Sequence, residues 1–217
     1  MSAEAREALV AACRRLIAEG LTTGTSGNVS VREGPGMLIS PSATPAEAMS
    51  AASVAAMALD GGEAWDGPLA PSSEWRFHRD ILRDRPEIGA VVHAHPRAAT
   101  ALAMLRRPIP PCHYMVLAFG GRDVRVAGYA TFGTQALSDA VLAALEGRTA
   151  CLMANHGAIA LGETLERAMW RMGELEALAA QYLAALAVGE PVPLSEAELA
   201  AAEAAFAGYG AGGRLTG

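Results

Sequence analysis

The sequence predicts a single α/β domain over residues 1–217, and three observations carry that expectation. Short apolar runs bounded by glycine and proline alternate with longer segments whose apolar residues recur at helical spacing. An apolar fraction of 52% over 217 residues is enough to fill one core. Neither an internal repeat nor a linker long enough to divide domains interrupts the pattern.

Taken in order, Ala3 to Glu19 reads as an amphipathic helix, with Leu9, Cys13, Leu16 and Ile17 on one stripe and Gly20 at the C-cap. Leu21 to Arg32, LTTGTSGNVSVR, begins in hydroxyls and glycines and ends in alternation, a loop that enters a strand. Met37 to Ser40 is a second short strand, stopped by Pro41 and the loop Ser42-Ala43-Thr44-Pro45. Both loops offer small side chains and bare backbone N–H groups, the materials of an anion nest, although each alone reads as an ordinary turn. Ala46 to Leu59 is mostly Ala, Met and Val, and Leu59-Asp60-Gly61-Gly62 signals a turn.

Pro71-Ser72-Ser73-Glu74 resembles a helix start, with hydroxyls at the N-cap and an acid in the first turn. Trp75, Ile81 and Leu82 give that helix its apolar side, and Asp84-Arg85-Pro86 stops it. Glu87 to His95 reads as a central strand, with Ala90, Val91 and Val92 packed on both faces, and Ala98 to Leu105 as a short buried helix. A proline-rich segment, Arg107 to Pro111, leads through Cys112-His113-Tyr114-Met115 into an apolar run to Phe119, and Gly120-Gly121 precedes a strand from Val124 to Val126. Tyr129 to Thr134 is a loop and Gln135 to Leu145 a helix; Cys151 to Ala154 is strand-like, and Asn155-His156-Gly157 turns tightly into Ala158 to Leu161. Thr164 caps the longest helix, with Leu165, Met169, Met172, Ala179, Leu183 and Leu186 as its buried stripe. Ser195-Glu196-Ala197-Glu198 fits a capping box, and the glycine-rich tail from Gly208 is expected to be mobile.

A formal charge of −6 and a pI near 5.4 argue against a nucleic-acid or anionic-membrane surface, both of which require clustered cations. Cys13, Cys112 and Cys151 cannot pair completely and show no metal-type spacing, so they read as small buried apolar residues in a reducing cytosol. The N-terminal residues lack the order of a secretory signal and no run approaches a membrane span, so the expectation is a soluble cytoplasmic protein.

The chemistry concentrates between Pro71 and Pro96. His93 and His95, two apart in a strand, project together and can share one cation. Zinc takes four ligands, or three from protein plus an open position when it does chemistry. His156, at a strand tip beside glycine, is the candidate third ligand and Glu74 the natural fourth. Imidazole plus carboxylate suits an open Lewis-acid centre better than a closed structural site, which favours thiolates. His-x-His also occurs in metal hydrolases and cupins, but the downstream Asp-His of the first and the nearby Glu of the second are missing. His78 reads as structural, with no acceptor visible in sequence, and His113 is ambiguous beside Tyr114.

The motifs GTSGNVSVR, SSEWRFH, VVHAHP, HYM, YATFGT and NHGAIA, in that order, resemble the class II aldolase/adducin superfamily, most closely its L-fuculose-1-phosphate aldolase branch. The resemblance runs from the first helix to the tail. It implies a three-layer α/β/α fold with a central, mostly antiparallel sheet, assembled as a homotetramer with sites between subunits. It implies one zinc per subunit, with manganese or cobalt as alternatives, on His93, His95, His156 and, at rest, Glu74. A phosphate pocket falls on Gly27, Asn28, Ser42, Ala43, Ser72 and Ser73, with Tyr114 and the tail residue Tyr209 reaching a neighbouring subunit's site. The implied reaction cleaves a ketose 1-phosphate, L-fuculose 1-phosphate or a related deoxyketose phosphate, into dihydroxyacetone phosphate and a small aldehyde, with Glu74 and Tyr114 moving protons. Relatives of this fold also decarboxylate phosphorylated 3-keto acids, epimerise pentulose phosphates or dehydrate methylthioribulose phosphate; adducin-like heads bind without catalysis and lack the histidines that stand here. One departure concerns Ala43, where the family commonly has glycine: a positive φ there would strain alanine and could displace the phosphate loop.

Overall fold

The computed structural model describes residues 2–209; of the glycine-rich tail it covers only the backbone of Gly208 and Tyr209, and the rest of that expectation lies outside the described residues. Strands β1 (Asn28–Glu33), β2 (Gly36–Ile39), β3 (Ala55–Ala58), β4 (Ala90–Ala94), β5 (Val126–Ala127), β6 (Ala150–Met153) and β7 (Gly157–Gly162) form one sheet in the order β3-β2-β1-β4-β7-β6-β5. Every pairing is antiparallel except β5 with β6.

Because successive strand residues face opposite ways, a strand that is apolar at every position needs cover on both sides. Val29, Val92, Ala94 and Ala160 pack with α1 (Ala3–Ala18), α3 (Arg97–Met104) and α5 (Leu165–Val188). Ile39, Val91, Ile159 and Leu161 pack with α2 (Trp75–Asp84) and α4 (Gln135–Ala144). The result is a three-layer α/β/α fold with the fully buried β4 at mid-sheet. A last helix, α6 (Glu196–Tyr209), follows the reciprocal Ser195 and Glu198 capping box. Among the described residues no helix is long and apolar enough to cross a membrane.

Three local expectations are corrected, and one segment gains an assignment. Glu74 is the N-cap of α2 rather than part of its first turn, because Ser72 is held ahead of the helix by its N–H to Ser40 O at 2.9 Å. Strand β4 starts at Ala90, since Ile88 N–H closes a turn onto Arg85 O, and ends at Ala94, so His95 lies just past it. Strand β5 begins at Val126, while Val124 pairs across with Ile109. Ala46 to Leu59, left unassigned by its composition, makes two short 3-10 turns and then β3.

Proline at position 96 has no side-chain cap to offer α3, and the orphan N–H groups there are met from a neighbouring helix of the same layer. The Glu176 carboxylate of α5 accepts from Ala98 N at 2.9 Å and from Ala99 N at 2.9 Å. Negative charge at a helix N-terminus also opposes the helix dipole. The residue just ahead, His95, is thereby tied to the longest helix.

Candidate metal centre

Separate elements bring the candidate ligands together. The β4/β7 register sets Ala94 opposite Ala158, so the end of β4 meets the start of β7. The connection from β6 turns through Asn155, whose φ of +55° asparagine tolerates better than most residues. Asn155 is pinned by its N–H to Ala103 O at 3.0 Å and by Arg106 Nε donating to its Oδ1 at 3.0 Å. That turn aims His156 at the end of β4. Gly157 is obligatory beside it: a Cβ there would lie 2.5 Å from Ala94 O and 2.6 Å from His95 Cδ2.

The three imidazoles form a nearly equilateral triangle, with ring centroids 4.9 Å (His93 and His95), 4.8 Å (His93 and His156) and 5.0 Å (His95 and His156) apart. Their ligand nitrogens lie within 4.8 Å of one another. Nε2 of His93 and Nε2 of His95 are 3.1 Å apart; two nitrogens bound to one tetrahedral zinc would be separated by about 3.3 Å. A carbonyl can only accept, so the 2.9 Å contact of His93 Nδ1 with Ala158 O places the ring proton on Nδ1 and leaves Nε2 bare toward the centre. Burial pushes His93 down to about 3 and His156 down to about 4, and it lowers His95, so all three rings are neutral near pH 7.

Glu74 completes the set. Its Oε2 lies 3.2 Å from His93 Nε2 and accepts from Asn28 Nδ2 at 2.9 Å; its Oε1 lies 3.4 Å from His156 Nε2 and, though buried, has no hydrogen-bond partner. A buried carboxylate oxygen with no hydrogen-bond donor is unfavourable by itself. A divalent cation resolves the conflict, so the donor set fits one.

Gly27, Asn28, Ser42, Ala43, Ser72 and Ser73 line the same pocket as Glu74, His95 and His156, while His93 lies beneath it, fully buried. Phe132 also lines the pocket, on a loop held by Arg76 Nη1 donating to Gly133 O at 2.8 Å. Ser42 N and Ser72 N donate to Ala70 O and Ser40 O, whereas Ala43 N and Ser73 N make no hydrogen bond among the described residues. Ala43 does take a positive φ, +49°, which costs alanine about 1 kcal/mol. No arginine lines the pocket among the described residues, and the chain contains no lysine: all 17 of its cationic residues are arginine. An anion bound here would meet hydroxyls and amides.

Tyr114 is not in this pocket. It opens a 3-10 stretch, Tyr114–Phe119, is 51% exposed, and lines a separate cleft with Met115, Trp170 and Phe206. His113 caps that stretch, its Nδ1 accepting from Met115 N at 3.1 Å. Tyr209 ends α6 and its side chain lies outside the described residues. Burial pushes the thiols of Cys13 and Cys151 up to about 12, consistent with packing rather than chemistry.

Sequence reasoning missed two sets of contacts. Asn28, expected in the phosphate pocket, also donates to Glu74, and His78, for which no acceptor was visible, bonds to Asn28 Oδ1 and Ser30 Oγ. The available signal was the four-residue spacing of Glu74 and His78, one helical turn. The absence of lysine was legible in the composition.

Fold and donor set together define a candidate divalent-metal enzyme of α/β/α architecture. Residues 7–183 match the class II aldolase and adducin N-terminal domain, and the chain belongs to that family. It is 48% identical, over 97% of its length and 94% of the relative's, to the 5-methylthioribulose-1-phosphate/5-deoxyribulose-1-phosphate aldolase of Rhodospirillum rubrum. It is 43% identical, over 93% of its length and 94% of the relative's, to the L-fuculose phosphate aldolase of Escherichia coli K12. A solved structure of an L-fuculose 1-phosphate aldolase superposes with a TM-score of 0.90 at 37% identity, covering 95% of this chain and 98% of that one.

Proposed function

We propose that residues 1–217 act as one catalytic domain, a metal-dependent aldolase that splits a deoxyketose 1-phosphate into dihydroxyacetone phosphate and a small aldehyde. The observation that carries the reading is the convergence of three neutral imidazoles on one another, with the Glu74 carboxylate beside His93 and His156, at a pocket lined by hydroxyls and free amides. Breaking the bond between C3 and C4 leaves an electron pair on C3 that needs a sink. A lysine Schiff base is one solution, and this chain has no lysine. A divalent ion, zinc by the donor chemistry, supplies the other when bound by His93, His95, His156 and Glu74: Lewis-acid polarisation of the ketone oxygen.

The protein's own groups do the rest. Ser72, Ser73 and the amides of the Ser42-Ala43 loop, with Gly27 and Asn28, orient the phosphate and so fix C3 over the metal corner. Tyr114 takes the proton from the C4 hydroxyl as that oxygen becomes the aldehyde carbonyl, and Glu74 delivers a proton to C3. Tyr114 lies outside its own chain's pocket on an exposed cleft, and we assign it to the site of a neighbouring copy in a homotetramer. The higher identity to the relative named for 5-methylthioribulose and 5-deoxyribulose 1-phosphates, 48% against 43%, puts 5-deoxyribulose 1-phosphate, which would release acetaldehyde, ahead of L-fuculose 1-phosphate, which would release lactaldehyde.

The test is incubation of both phosphates with zinc-, manganese- or cobalt-loaded protein and assay of the released aldehyde by a coupled reductase. Metal-dependent release abolished by a chelator is expected. Carbon dioxide release from a phosphorylated 3-keto acid, with no aldehyde from either ketose, would overturn the reading.

A further inference from the structure

Behind Glu74 a hydrogen-bonded chain runs into the sheet that neither the metal ligands nor the substrate pocket requires. Glu74 caps α2 and His78 stands one turn further on, so the two project from the same side of the helix. Asn28 and Ser30, two apart on β1, project together from the strand paired with β4, where Asn28 is opposite His93 and Ser30 opposite Val91. All four are buried, His78 and Ser30 completely. His78 Nδ1 is 2.7 Å from Ser30 Oγ, His78 Nε2 is bonded to Asn28 Oδ1, and Asn28 Nδ2 donates to Glu74 Oε2 at 2.9 Å.

The carboxylate end fixes every proton in this chain. A carboxylate only accepts, so Asn28 must turn its NH2 to Glu74 and its carbonyl to His78. Nε2 of His78 must then carry the ring proton. Burial, with His93 nearby, holds His78 well below the ordinary imidazole range, so the ring is neutral, Nδ1 is bare and Ser30 donates to it. Reversing one member would set two donors or two acceptors face to face in a dry site.

We infer that His78 is a positioning residue for Glu74: through Asn28 it ties down Oε2 and leaves Oε1, the oxygen with no hydrogen-bond partner, to carry the proton to and from the substrate carbon. The inference rests on the reading of Glu74 as the acid/base. It adds that the carboxylate's two oxygens are unequal, and that the inequality is enforced from a buried histidine that touches neither metal nor substrate.

Two measurements on the full-length, metal-loaded chain test it. Nitrogen NMR of the His78 ring should show the proton on Nε2 and a bare Nδ1; a proton on Nδ1 overturns the relay whatever the activity. Exchange of the hydroxymethyl hydrogen of dihydroxyacetone phosphate with D2O reads the proton step alone. His78→Leu should slow that exchange about 10- to 100-fold, the usual effect of losing an outer-shell partner, with metal content and KM little changed. His78→Gln, whose amide N–H can stand in for Nε2–H, should recover most of the rate. Unchanged exchange in His78→Leu, or equal losses in both variants, would sink the positioning role. Should His78→Leu not fold, Ser30→Ala, which leaves the Nε2 donor in place but unanchors it, is expected to slow exchange by a smaller factor, and no change there would count against the relay. Absence of exchange in the wild-type chain would instead overturn the acid/base reading, and the ring tautomer would still judge the relay alone.

Discussion

The two walls of the pocket are built differently. The histidine wall stands on the ends of β4 and β7, with each imidazole or its flanking backbone fixed by a named contact: Ala158 O for His93, Glu176 through α3 for His95, and Arg106 through Asn155 for His156. The opposite wall, Ser42-Ala43 and Ser72-Ser73, is loop backbone, joined by the bridge between Pro41 and Pro71 and holding one alanine in a left-handed conformation. The candidate metal ligands stand where the scaffold is over-determined; the proposed anion site would rest on amides that a single methyl group can disturb.

Substitutions on each wall should therefore fail in different ways. His156→Ala is expected to lose the bound divalent ion, read by elemental analysis, and with it roughly 10³-fold or more in turnover, since metal polarisation supplies several kcal/mol. Retention of one ion per chain would break the proposed ligand set. Glu74→Gln should keep the metal and lose about 10²-fold or more in turnover, the range of a general acid/base; full activity would remove Glu74 from that role. Tyr114→Phe, outside both walls of its own chain, should slow aldehyde release by about 10²-fold while hydrogen exchange at C3 changes little. A parallel loss of both would place Tyr114 elsewhere in the reaction.

The pH response belongs to the histidine wall. His93 and His156 have folded values of about 3 and about 4 against an ordinary 6.5, so the unfolded chain binds protons first as pH falls. The metal-free protein should accordingly be most stable above pH 6.5 and lose melting temperature steadily toward pH 4. A flat melting profile over that window would show that these rings are more accessible than their burial indicates. The smallest effect is expected opposite: Ala43→Gly should raise stability by about 1 kcal/mol, a few degrees in Tm, by relieving the positive φ. A lower Tm would mean that the methyl group packs usefully.

Much of the metal corner was legible because period-two alternation places His93 and His95 on one side, and because the flanking proline and glycines mark where the strands stop. The effect of Ala43 followed from the glycine that the resemblance puts there. What sequence could not supply was contact across distance: Asn28 and Ser30 reach His78 from 50 and 48 residues away, and a cap for α3 comes from Glu176, 78 residues beyond Ala98. Short strands also misled at their ends, where a turn hydrogen bond at Ile88 outweighs a continuing apolar run. The parallel β5 and β6 pair has no local signature at all.

Small aldehydes condense with neutral amines, and an enzyme that releases them is bathed in its own modifying reagent. With arginine in place of every lysine, this chain would offer the proposed aldehyde product no side-chain amine to attack.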